Sequence, residues 1–180
     1  MATKGAVTAN ADKKQPAAEP PVAGWRSFLD AKAPWISLAA RLLLGAMWLY
    51  YSLPKLTSPT QNIADVRNFE ILPSGLVSTF AYAQPYLELS LGLLLIAGLG
   101  TRLVALFSAI MLLVYIGAII SLGARGISIS CGCGGSGGAV EAGQTRYTLD
   151  VLRDVLYLIP ALWLLWRPRS KYSADDALLP

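Results

Sequence analysis

The run LVALFSAIMLLVYIGAIISL, Leu103 to Leu122, holds twenty residues without one charge. That is about the length at which an α-helix crosses the hydrocarbon core of a bilayer. Three more runs approach it. Trp35 to Leu53 is broken only by Arg41, Ser78 to Leu99 only by Glu88, and Leu149 to Trp166 carries Asp150, Arg153 and Asp154 near its start. A buried core helix of a water-soluble domain is the competing reading of such runs. It needs polar sequence to cover the core, and little is left over here. The sequence therefore predicts an all-α, polytopic membrane protein: a bundle of four transmembrane helices over about 35–55, 78–99, 102–122 and 148–166.

Composition limits the chemistry. The chain is 54% hydrophobic and 14% charged, against about a quarter charged in soluble domains. It has no histidine, and so lacks the commonest metal ligand, the usual haem axial ligand and the usual acid–base group near pH 7. The net charge is +4, with the basic residues scattered, which gives a nucleic-acid partner little support.

Residues 1–33 are rich in Ala, Lys and Pro, a composition that buries too little apolar surface to order itself. They are expected to form a disordered tail. No short apolar segment marks a signal peptide there. A helical span over 34–167 and a short polar tail at 168–180 complete the organisation. Alternating sides place nine Lys and Arg (Lys4, Lys13, Lys14, Arg26, Lys32, Arg102, Arg167, Arg169 and Lys171) with the two termini, and four (Lys55, Arg67, Arg125 and Arg146) opposite. The basic side is the cytoplasmic one. Both termini then lie inside, and loop 123–147 faces outward, in a bacterium the side where disulfides persist.

That loop contains SISCGCGGSGG, residues 128–138, and in it both cysteines of the chain, Cys131 and Cys133. Disulfides prefer Cα atoms about 5.5–6 Å apart, so two cysteines one residue apart need a bend between them. Gly132 supplies it, and Gly134 lets the loop fold back to expose the sulfurs. A bond across one residue closes almost no loop, so it stabilises little as a staple. Strained, exposed disulfides are the labile or catalytic kind. Two other readings stand beside redox work. The thiols could bind a soft metal, although a closed zinc site takes four ligands. They could also be inert.

The order of the segments resembles the MauE branch of the DoxX-like membrane proteins over roughly residues 41–166. RLLLGAMWLYYSLPKL at 41–56 is similar to a first helix ending in lysine, and PYLELSLGLLLIAGLGTR at 85–102 to a Pro-x-x-Glu helix followed by a glycine turn. RGISISCGCGG at 125–135 resembles the outer CGC segment, and YTLDVLRDVLYL at 147–158 the charged start of the fourth helix. Gly134 departs from the pattern, standing where the family often has an aromatic residue. The resemblance implies a four-helix bundle with a redox role outside the cytoplasm, beside a thioredoxin-fold partner that matures disulfides of exported proteins. The wider group also implies ties to quinone-linked respiratory complexes.

Charges inside a bilayer face the bundle and pair. At ~1.5 Å per residue, a helix starting near Thr79 puts Glu88 roughly 13 Å below the outer surface, and one starting near Thr148 puts Arg153 roughly 8 Å below it. The expected pairing is Glu88 with Arg153, and Arg41 second. Asp150 and Asp154 share a helix face near the outer surface and are the better candidates for proton traffic. Trp48, Tyr50, Tyr51 and Tyr82 fall where an interfacial aromatic belt would lie. Residues 61–76 are partly amphipathic and suit a lid over the bundle mouth or a surface for a partner.

The resulting expectation is a membrane thiol–disulfide oxidoreductase in a bacterial inner membrane, with Cys131 and Cys133 as catalytic residues. Arg41, Glu88, Asp150, Arg153 and Asp154 form the supporting polar cluster. No motif for an intrinsic cofactor or metal is present, and a membrane quinone is the candidate electron acceptor by location. The alternative is a noncatalytic accessory or assembly subunit of a membrane respiratory complex, in which the helix faces matter and the CGC loop does not.

Overall fold

A computed structural model describes residues 23–127, 129–130, 138–139, 147–168, 170 and 174, with side chains described from residue 32 onward and not at 129–130 or 138–139. The chain divides into two units, Met1–Ala31 and Lys32–Pro180. In the first, the described part is helical from Ala23; the tail expected over 1–33 otherwise lies outside the described residues. Everything below concerns the second unit.

Among the described residues five helices follow one another: α1 (Ala23–Thr57), which enters this unit at Lys32, α2 (Pro59–Asn68), α3 (Ser74–Ala97), α4 (Thr101–Arg125) and α5 (Tyr147–Trp166). Among the same residues three helical stretches, Lys32–Thr57, Ser74–Ala97 and Thr101–Arg125, are long and apolar enough to cross a membrane. The twenty residues of α5 are also largely apolar but carry Asp150, Arg153 and Asp154 in their first half. Leucines and isoleucines that face away from the bundle are widely exposed, among them Leu103, Leu113, Ile120 and Ile159. Such outward faces suit lipid, where apolar surface has no reason to hide.

Side-chain pairs set the directions. Gly45 approaches Gly92, and ten residues later Lys55 reaches Glu88, one turn back along α3; α1 and α3 are therefore antiparallel. Trp48 donates to Ser108 at 3.0 Å, and Lys55 lies 5.5 Å from the Tyr115 ring, so α1 and α4 run in the same direction. Trp163 donates to Ser37, and the Arg153 guanidinium sits 5.1 Å from the Tyr51 ring, so α5 runs back along α1. The core between them is built from Leu44, Met47, Leu91, Leu95, Ala105, Leu112, Ala161 and Leu164.

Turn chemistry explains the tight return from α3 to α4. Gly98 (φ 73°) and Gly100 (φ 57°) both occupy the left-handed region, which costs glycine nothing and other residues about 1 kcal/mol or more. Gly98 N–H closes α3 on the carbonyls of Leu94 and Leu95. The glycine turn read from the sequence is this one.

Between α1 and α3, residues 61–76 are expected from the sequence to form a lid over the bundle mouth or a surface for a partner. The structure has a helix there, α2, with Pro59 in its first turn, where a missing N–H costs nothing. Asn62 and Asp65 face inward, and Asn62 Nδ2 donates to the Ala81 carbonyl of α3 at 2.6 Å. Beyond α4, Ile129–Ser130 pairs antiparallel with Gly138–Ala139, with Ile129 opposite Ala139. The second of these short strands lies against α2.

Candidate functional site

Lys55 and Glu88 form the centre of the buried polar region. Lys55 is carried past Pro54 by the last turn of α1, and its Nζ lies 2.6 Å from Glu88 Oε1, with the two side chains 6% and 0% exposed. Three donors converge on that single oxygen. Gln84 Nε2 reaches it at 3.1 Å from one turn earlier on α3, and the Tyr115 hydroxyl of α4 donates to it as well. Gln84 Nε2 also contacts the Tyr115 hydroxyl at 2.8 Å. The other carboxylate oxygen, Glu88 Oε2, is buried without a hydrogen-bond partner, as is Gln84 Oε1.

A second cluster belongs to α5. Arg153 bonds Asp154 at 3.0 Å and Asp150 at 3.3 Å. Asp154 Oδ2 is buried and unpartnered. The two clusters meet around one small cavity lined by Met47, Trp48, Tyr51, Lys55, Glu88, Leu112, Tyr115, Arg153 and Asp154. Two cations, two carboxylates and two tyrosines thus share one enclosure, the balance that makes buried charge tolerable.

This arrangement corrects the expected pairing. Glu88 is held by Lys55, and Arg153 by its own helix neighbours. Measured from Ser74, where α3 begins, Glu88 lies about 21 Å along the helix rather than 13 Å, and α1 supplies a nearer cation. Arg41 is not part of the cluster. It sits fourteen residues before Lys55 on α1, roughly 21 Å away, and donates to Ser170 Oγ at 2.7 Å. Beside it Ser37 Oγ donates to the Arg167 carbonyl at 2.8 Å, so these residues tie α1 to the segment after α5. Of the aromatic belt, Tyr50 and Tyr82 are exposed as expected, but Trp48 is buried at 1% exposure. Its N–H bonds Ser108, and its ring meets Tyr115 edge-on at 6.2 Å.

The sequence reading missed Lys55, Gln84 and Tyr115. Lys55 is counted in the sequence only among the charges of the outer side, at the end of the first helix, and that terminal Pro-Lys is the signal that could have located it. Nothing in sequence separated Tyr115 from the other aromatics.

Above the Lys55–Glu88 pair lies a cavity of about 200 Å³ lined by α2, the α2–α3 connection, α3 and α4. Phe69, Phe80, Val66 and Leu72 form its apolar walls, and Lys55, Asn62, Asp65, Gln84 and Tyr115 its polar edge. Arg125, at the end of α4, donates to the carbonyls of Phe69 and Glu70 and so fastens the connection that closes one side.

Cys131, Gly132, Cys133 and Gly134 lie outside the described residues. In sequence they fall between the two paired strands, Ile129–Ser130 and Gly138–Ala139, the second of which lies against α2. Among the described residues, no three Cys, Asp or Glu side chains gather as a metal site.

The family model described as Methylamine utilisation protein MauE matches residues 33–167. A relative from Methylophilus methylotrophus, named Methylamine utilization protein MauE, is 29% identical over 101 residues, which is 56% of this chain and 53% of the relative. The match thus spans about half the length of that relative. No solved structure matches.

Proposed function

The chain belongs to the MauE family of membrane proteins, and from that premise we propose that it is a thiol–disulfide redox protein working through Cys131 and Cys133. Four helices, α1, α3, α4 and α5, span a bacterial inner membrane with both termini cytoplasmic. The charges of α5 do not prevent this, because they are paired inside the bundle. The CGC segment is then extracytoplasmic and meets a thioredoxin-fold partner there. A reduced partner gives up two electrons and two protons as its dithiol closes, and the CGC disulfide opens to two thiols. Reoxidation of the pair returns two electrons and two protons to an acceptor, for which a membrane quinone is the available chemical class. The names of the family and its relative support a role in methylamine utilisation.

The observation that supports this reading best is the strand pair. It pairs the segments on either side of the cysteines in sequence, Ile129–Ser130 with Gly138–Ala139, and Gly138–Ala139 lies against α2. A second reading, an accessory or assembly subunit without redox chemistry of its own, is favoured by the wide apolar helix faces, which suit a membrane partner as well as lipid.

Trapping distinguishes the two. By the reverse of that exchange, Cys133→Ser and Cys131→Ser each leave one thiol that can attack the disulfide of the partner's oxidised form, with no second thiol in this chain to resolve the adduct. At least one of them is expected to accumulate a reductant-sensitive, disulfide-linked adduct in intact cells, while the double serine variant forms none. Full function and no adduct in either single variant would leave the accessory reading standing.

A further inference from the structure

We propose that the cavity between α2, α3 and α4 binds the ring of a quinone-class lipid. This deepens the redox reading above by giving its acceptor a place. At about 200 Å³, the chamber exceeds the ~150 Å³ apolar cavity that accepts benzene, and so holds one substituted six-membered ring. Its walls are aromatic and aliphatic. Phe80, Ile71 and Val114 are its exposed members. The mouth therefore opens beside the apolar outer faces of α3 and α4, where an isoprenoid or alkyl tail can run into lipid.

The polar edge fits a molecule that changes its hydrogen-bonding character. An oxidised quinone only accepts hydrogen bonds, and the Lys55 ammonium is a strong donor at the edge of the chamber. A reduced quinol also donates, and the Asp65 carboxylate stands there as an acceptor, its Oδ1 taking one bond from Gln61. A saturated acyl chain would add no partner to Lys55 or Asp65, so it gains nothing from this edge. The helix that lines the chamber with Asn62, Asp65 and Val66, α2, also contacts the strand Gly138–Ala139 that follows the cysteines in sequence.

The test is binding by the purified full chain in lipid nanodiscs, with decylubiquinone as the probe and decylbenzene as the same tail and ring without ring oxygens. Each charge-assisted hydrogen bond supplies roughly tenfold in affinity, so decylubiquinone is expected to bind saturably, one per chain, at least about tenfold more tightly than decylbenzene. Ala118→Phe, which fills the chamber from α4, should abolish saturable binding, and Cys131→Ser/Cys133→Ser should leave it unchanged. Equal binding of the two probes, or unsaturable uptake alike in wild type and Ala118→Phe, would overturn the proposal. The comparison of probes on the unaltered chain decides the matter even if Ala118→Phe fails to fold. Because the double serine variant retains the chamber, loss of the thiol reading and loss of the quinone site give different results.

Discussion

Glu88→Ala is expected to destabilise the bundle by about 3–5 kcal/mol, because it strands the Lys55 ammonium inside the protein. The same oxygen that holds Lys55 also takes Gln84 and Tyr115, so three donors lose their acceptor at once. Lys55→Ala should cost a similar amount by leaving the carboxylate alone. Replacing both with apolar residues of similar volume, Lys55→Met with Glu88→Leu, should restore most of the stability, since a buried pair contributes little net energy over a well-packed apolar pair. Unfolding in mixed detergent micelles, followed by circular dichroism, gives the double-mutant cycle. A coupling of several kcal/mol between positions 55 and 88 is the expected outcome; additivity would mean that the pair does not hold the helices together. Glu88 with Arg153 should show little direct coupling.

The second large effect concerns a place with no polar atoms to lose. A Cβ at Gly92 would stand 3.1 Å from the Gly45 carbonyl and 3.1 Å from Leu49 side-chain carbons, and one at Gly45 would meet Ile96 at 2.7 Å. The two helices touch through their glycines, as small residues permit in membranes where packing drives association. Gly92→Leu must push α1 away from α3, at a cost of about 1–3 kcal/mol or more, and the displacement would also stretch the Lys55–Glu88 pair along the same seam. Gly117→Leu on α4 is the control, because nothing lies within 4 Å of its Cβ position. The expected result is a marked loss of thermal stability for Gly92→Leu and nearly none for Gly117→Leu. Equal melting of the two variants would mean that the close approach is unimportant.

How much of this was legible in the sequence depends on the range of the interaction. Apolar run length is a property of consecutive residues, so the helices over 78–99, 102–122 and 148–166 were found to within a few residues of α3, α4 and α5. The glycine turn at Gly98 and Gly100 is local too. Pairing inside the bundle is not local. Depth estimates depend on where a helix begins, and they left out Lys55, which takes Glu88 while Arg153 pairs with Asp150 and Asp154 on its own helix. Lys55 stands at the end of the helix expected over 35–55, and nothing in consecutive residues shows that α1 continues to Thr57 and turns this lysine into the bundle. The 61–76 stretch was recognised as amphipathic, but only contact with α3 shows which face is inside: Asn62 and Asp65, both polar, and both turned toward the chamber. Polar residues facing inward defeat a hydrophobic-periodicity reading by construction.

The central claim rests on whether Cys131 and Cys133 interconvert between dithiol and disulfide. Thiol alkylation in intact membranes, titrated across a series of thiol–disulfide buffers and read as a mass shift, measures it directly. The account predicts a reversible two-electron couple with a potential above about −300 mV, the region of exchangeable rather than structural disulfides. Thiols that remain unpaired at every potential would contradict it.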